Sequence, residues 1–129
     1  MEDLIIKGSH GNYFIPSVNF NATSGELEIA GESYLEDTVE FYEPILKWIE
    51  DFAATKQAIK LDIKLKYFNT SSSRSILDIL NLVKDYEDNG GSVTVTWYCK
   101  HFDSEMKEEV EDYRLDTGLE IAIELVDEL

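Results

Sequence analysis

Residues 59–68 alternate strictly between apolar and polar side chains. Ile59, Leu61, Ile63, Leu65 and Tyr67 share one parity, and Lys60, Asp62, Lys64 and Lys66 the other. Successive side chains of a strand point to opposite faces, so the run is predicted to be a strand with one apolar and one charged face. Such a strand is stable only where other elements bury its apolar side. The flanking sequence supplies them at helical spacing. Residues 37–54 carry Val39, Tyr42, Leu46, Ile49 and Phe52/Ala53 three and four apart. Asp37 is the predicted N-cap there, with Glu40 three residues on closing a capping box. Pro44 falls inside the stripe and predicts a kink or a later start. Downstream, Ile76, Leu77, Leu80, Val83 and Tyr86 form the stripe of a second helix, which Asn89-Gly90-Gly91 ends.

The alternation of strand and helix continues to the end of the chain. Residues 92–99 set Val93, Val95, Trp97 and Cys99 against Thr94, Thr96 and Tyr98, a further strand. Residues 103–116 read as an acidic helix with Met106, Val110 and Tyr113 or Arg114 inward, and residues 119–126 as a last strand with Leu119, Ile121, Ile123 and Leu125 on one face. Ahead of all this, residues 12–31 read as a β-hairpin. Tyr13-Phe14-Ile15 and Val18-Asn19-Phe20 make one arm, Leu27 and Ile29 between Glu26 and Glu28 the other, and residues 21–25 the turn. Pro16 cannot donate to a ladder, which predicts an edge or bulged first arm. The order ββαβαβαβ predicts an α/β fold, with a mixed, largely parallel sheet and right-handed crossovers. With 129 residues and no linker, repeat or low-complexity segment, residues 1–129 are expected to form a single domain.

Charge excludes some functions. Asp and Glu number 27 against 11 Lys and Arg, a formal charge of −16, which argues against a nucleic-acid partner and against an anionic membrane surface. No apolar run approaches the ~18 residues of a membrane span, and the acidic N-terminus has no signal-peptide core. With Cys99 as the one cysteine, no internal disulfide forms, which fits a cytoplasmic protein. Enzymatic motifs are missing: there is no phosphate-binding glycine loop, no nucleophile elbow, no HExxH and no CxxC. Cys99 and His101 could form a nucleophile–base pair only in hydrogen-bond contact, whereas residues two apart on a strand are ~7 Å apart; a buried thiol and a surface histidine are the expected reading. The acidic groups at 36–43, 85–88 and 108–112 lack the ligand order of a calcium loop and read as solvated faces. Trp48 and Trp97 share faces with apolar neighbours and read as core. No cofactor or metal is expected.

The informative segment is the junction Tyr67-Phe68-Asn69-Thr70-Ser71-Ser72-Ser73-Arg74. Four hydroxyl residues in a row start a helix, no acidic residue occurs from Ile63 to Leu77, and Lys64, Lys66 and Arg74 are nearby cations. One hydroxyl satisfies an N-cap; four exceed what a cap needs. A helix start also stabilises added negative charge, so a phosphoryl group on Thr70 or Ser71 would be accommodated internally, while a partner lying over it would be displaced. On physical grounds Thr70 and Ser71 are equivalent here.

Strand, Asn69-Thr70-Ser71-Ser72, then helix resembles the STAS domain of anti-anti-sigma factors, in which a phosphorylatable Ser or Thr sits at this junction, usually in Asp-Ser-Ser-Gly. Here Asn69 stands for the Asp and Ser73 for the Gly. The chain resembles more closely the STAS-like SiaC family of bacterial regulatory phosphoproteins. That resemblance runs through Gly31-Glu32-Ser33-Tyr34, Trp48-Ile49-Glu50-Asp51-Phe52, Leu61-Asp62-Ile63-Lys64-Leu65, the Asn-Thr-Ser-Ser junction, Ile76-Leu77-Asp78-Ile79-Leu80 and Trp97-Tyr98. It implies a non-enzymatic switch, phosphorylated at Thr70 by a dedicated protein kinase and dephosphorylated by a PP2C-type phosphatase. The unphosphorylated form would bind and promote a diguanylate cyclase in cyclic-di-GMP and biofilm signalling. Asn69, Ser71, Ser72, Ser73 and Arg74 are expected in the partner-binding loop. The alternative is a partner-switching module that captures an anti-sigma kinase.

Overall fold

The computed structural model of the chain describes residues 1–10 and 14–129, so the Asn12 and Tyr13 part of the expected hairpin lies outside the described residues. In chain order the elements are β1 (Leu4–Ile6), β2 (Ser9–His10), β3 (Phe14–Ile15), β4 (Ser17–Phe20), β5 (Glu26–Ser33), α1 (Thr38–Ala53), β6 (Ile59–Phe68), α2 (Thr70–Asp88), β7 (Val93–Lys100), α3 (Ser104–Thr117) and β8 (Ile121–Val126). A six-stranded sheet runs β1-β4-β5-β6-β7-β8, and β2 pairs with β3 separately. The expected ββαβαβαβ order is present from β4 onward. The β4 pairings with β1 and β5 are antiparallel, while β5, β6, β7 and β8 are parallel neighbours, each reached through one helix. This is the mixed α/β fold expected.

One face of the sheet carries the core. Leu27, Ile29, Ile59, Leu61, Ile63, Val95 and Trp97 point into it and meet Tyr42, Ile45, Ile49 and Phe52 of α1, Ile76, Ile79, Leu80 and Val83 of α2, and Met106, Val110 and Tyr113 of α3. The other face is polar: Lys64 there bonds Glu28 at 2.9 Å and lies over the Tyr98 ring at 5.0 Å. A parallel sheet usually carries cover on both faces; here the strict alternation of β6 fits a sheet covered on one.

Five sequence expectations change. Pro16 splits the first arm into β3 and β4, and β4 is no edge, because β1 pairs along its outer side. In α1 the buried stripe is Tyr42, Ile45, Trp48, Ile49 and Phe52, while Val39 is 72% exposed. The two stripes share Tyr42, Ile49 and Phe52, and the one that adds Ile45 and Trp48 faces the core instead of the one that adds Val39 and Leu46. Helix α1 runs through Pro44 without interruption. Pro44 and Glu40 are both exposed, so the Glu40 carbonyl that loses its donor lies on the solvent side. In β8, Leu125 is exposed instead of inward.

The fifth change concerns Tyr67. The β5–β6 register runs Gly31 to Leu65, then Glu32 to Tyr67, leaving Lys66 without a partner. This bulge reverses the alternation. Tyr67, expected inward with Leu65, is 49% exposed, and Phe68 turns inward against Trp97 and Tyr113, with ring centroids 6.1 and 6.3 Å away.

Candidate functional site

The junction lies where β6 leaves the sheet, at the carboxyl edge of the parallel strands, a place where α/β folds commonly bind ligands and partners. The N-cap of α2 is Asn69, not one of the hydroxyls. Its Oδ1 accepts from Ser72 N–H at 3.0 Å, and its carbonyl accepts from Ser73 N–H at 2.9 Å. The rest of Asn69 ties the helix start to the strand beside it: its N–H donates to the Ser33 carbonyl at 3.0 Å and its Nδ2 to the Leu35 carbonyl at 3.2 Å. An Asp could not make that last bond, since an ionised carboxylate has no donor.

The four hydroxyls then separate. Ser72 is fully buried, and its Oγ donates to the Ser33 carbonyl at 3.1 Å. Ser33, also fully buried, donates its Oγ–H to Ser72 Oγ at 2.8 Å. With that proton committed, the 2.7 Å contact of Ser33 with Tyr42 has the tyrosine as donor. Burial pushes the Tyr42 hydroxyl up to about 12, partly offset by the Ser33 bond, so it remains a neutral donor. Ser73 is clamped from the other side. Tyr113 OH donates to the Ser73 carbonyl at 3.0 Å, leaving Ser73 Oγ as donor in its own 3.0 Å contact with Tyr113. Burial raises the Tyr113 pKa above the tyrosine range as well.

Ser71 is exposed, and its Oγ donates to Asn69 Oδ1 at 3.3 Å. Thr70 is exposed, and its Oγ1 makes no hydrogen bond among the described residues. Arg74, one turn on, is 79% exposed in its side chain, with Nε 3.6 Å from Asp78 Oδ1. Beside the junction stand two exposed aromatics, Tyr34 at 45% and Tyr67 at 49%, with ring centroids 6.2 Å apart. The bulge at Lys66 delivers Tyr67 there.

The structure thus brings Thr70, Ser71 and Arg74 to the surface, holds Asn69 half-buried as the cap, and places Ser72 and Ser73 in internal bonds. Sequence reading missed Ser33, Tyr42 and Tyr113 as the groups that fix the helix start. Their hydroxyls lie 28 residues or more from Thr70 in sequence, and Tyr42 and Tyr113 looked like plain stripe residues. Cys99 is fully buried, with its pKa raised by that burial, while His101 Nε2 faces Asp127 Oδ1 at 3.1 Å. These two do not form a nucleophile–base pair. Among the described residues no three His, Cys, Asp or Glu side chains are placed to hold a metal, and no helix is long and apolar enough to cross a membrane.

Comparison with known proteins agrees with the sequence resemblance. The family model for SiaC family regulatory phosphoproteins matches residues 9–126. An uncharacterized protein of Pseudomonas aeruginosa (strain UCBPP-PA14) is 32% identical over 129 residues, covering 99% of this chain and 100% of the relative. Among solved structures, SiaC of Pseudomonas aeruginosa superposes with a TM-score of 0.87 at 30% identity, covering 98% of this chain and 100% of that one. A crystal structure of the diguanylate cyclase SiaD in complex with its activator SiaC, from the same organism, contains a chain matched with a TM-score of 0.88 at 30% identity, covering 96% of this chain and 100% of that one.

Proposed function

The chain belongs to the SiaC family of regulatory phosphoproteins, and on that premise we propose that it is a non-enzymatic switch with Thr70 as its phosphoacceptor. The observation that carries this reading is the sorting of the four hydroxyls. Thr70 alone among them is both exposed and free of an internal bond, at the first helical position of a helix start fixed from beneath. A kinase that transfers the γ-phosphoryl group of a nucleoside triphosphate forms the Thr70 Oγ1–P bond, breaks the P–O bond to the departing diphosphate and takes up the hydroxyl proton. A PP2C-type phosphatase reverses the state by hydrolysis. Asn69 already occupies two of the four free N–H groups of α2, leaving those of Thr70 and Ser71 to face added negative charge.

The partner of the unphosphorylated form is a diguanylate cyclase, which it promotes, as a single cytoplasmic domain. Tyr34 and Tyr67 supply the apolar centre of the contact, since paired exposed aromatics suit the buried core of an interface. Asn69, Ser71 and Arg74 lie at its edge, and Ser72 and Ser73 support it from beneath. Phosphate on Thr70 brings about −1.5 to −2 charges into that contact, where they are costly to desolvate. The test is cyclase turnover with the purified chain in both forms, together with phosphopeptide mapping of protein from its native cell. The expected result is phosphate at Thr70 and stimulation by the unmodified form only. Equal stimulation by both forms would remove the reading.

A further inference from the structure

We infer that Arg74 is the internal receptor for the Thr70 phosphate, and that modification moves its guanidinium from Asp78 onto the phosphate. This rests on the reading of Thr70 as the acceptor. Arg74 is placed for two carboxylate-like partners on one helix face: Thr70 is four residues before it and Asp78 four after, each with Cβ atoms ~5–6 Å away. In the unmodified chain it has one of them, and holds it weakly. Arg74 Nε stands 3.6 Å from Asp78 Oδ1, beyond hydrogen-bond range, with side chains 79% and 46% exposed. Exposed pairs of this kind contribute little. Their order is also the less favourable one, base before acid, against the helix dipole.

A phosphothreonine at 70 reverses both handicaps. It sets acid before base along the helix and carries about −1.5 to −2 charges against the single charge of Asp78. Its oxygens match the planar guanidinium fork for a bidentate pair. Thr70 Oγ1 and Arg74 are exposed and unobstructed, so the exchange needs only rotation of the arginine side chain. The surface then changes at two points. An exposed cation at the edge of the partner contact is neutralised internally, and Asp78 loses its counter-charge in the shallow groove it shares with Glu50 and Asp85 between α1 and α2.

The test uses the full chain with phosphothreonine installed at position 70 through an expanded genetic code, so that it runs whether or not a cellular kinase uses Thr70. Phosphorus NMR titration reads the second phosphate pKa, ordinarily near ~6. It is expected to lie about 0.2–0.4 unit lower in this protein than in its Arg74→Gln variant. The arginine Nε–H resonance gives the second readout. Asp78→Asn is expected to shift it in the unmodified chain and to leave it unmoved in the phosphorylated one. Equal phosphate pKa values with and without Arg74, or an Nε–H signal that still answers to Asp78 after phosphorylation, would overturn the exchange. Failure of the phosphoacceptor reading is seen separately, as phosphopeptide mapping that places the native phosphate elsewhere.

Discussion

At the scale of single residues, the helix start divides its labour between a cap and the proposed acceptor. Asn69 closes the backbone, and Thr70 is relieved of that task. Asn69→Ala is therefore expected to destabilise the chain by about 0.5–2 kcal/mol. Thr70→Ala, at an exposed first helical position, is expected to stay within about 0.5 kcal/mol of the parent. Urea unfolding of the two variants side by side separates them. The sequence alone assigned the capping cost to a hydroxyl, because Ser and Thr are common caps and an Asn one residue earlier looked like loop. Tyr42 gives a pH signature. Its folded-state pKa, raised from 10.0 to about 12, exceeds that of the unfolded chain, so the folded state holds the proton more tightly. The stability it contributes is fully present below pH ~10 and is lost as pH rises from there through about 12, with a total on the order of 3 kcal/mol. Urea midpoints measured across that window should fall with pH in the parent and fall less in Tyr42→Phe.

At the scale of elements, alternation and helical spacing carried most of the fold, and the misses share one cause. Periodicity gives the faces of an element but not an interruption of the count. Nothing in Leu65-Lys66-Tyr67-Phe68 announces a bulge; it exists because β5 supplies the partner register and Gly31 adopts φ +102° at the same level. The one-residue slip converts a core tyrosine into a surface one and a surface phenylalanine into a core one. The stripe of α1 was ambiguous for a related reason, since two rows of residues fit the same spacing and only packing chooses between them. The turn before β5 is tighter than the bulge. Gly25 has φ +75°, and a Cβ there would lie 2.2 Å from the Ala58 carbonyl oxygen, whereas a Cβ on Gly31 would meet nothing nearer than Pro16 Cα at 3.9 Å. Gly31→Ala is thus expected to cost about 1–2 kcal/mol, from backbone conformation alone. Gly25→Ala adds a clash to that strain and should exceed it by about 1–3 kcal/mol. Thermal or urea melts of both variants check the order.

For the molecule as a whole, three parallel crossovers bring the ends of β5 and β6 and the start of α2 to one edge, so Tyr34 meets Tyr67 beside the helix start although over 30 positions of sequence separate the two. That meeting was not legible in the sequence, which offered the junction as a local motif. If Tyr34 and Tyr67 form the centre of the cyclase contact, the double variant Tyr34→Ala/Tyr67→Ala should bind at least about tenfold more weakly, with its melting temperature little changed. Calorimetric titration against the cyclase reads the first quantity and a thermal scan the second. The same architecture provides a built-in optical probe. Trp97 is fully buried and stacked on Tyr113 at 5.5 Å, and Tyr113 holds Ser73 in the first turn of α2. Trp48 lies elsewhere, stacked on Phe52 and bonded to the Glu2 carbonyl near the N-terminus. With Trp48 replaced by Phe, the intrinsic fluorescence of the chain comes from one indole two side chains away from the helix start, and its emission reports the seating of α2 without any attached dye.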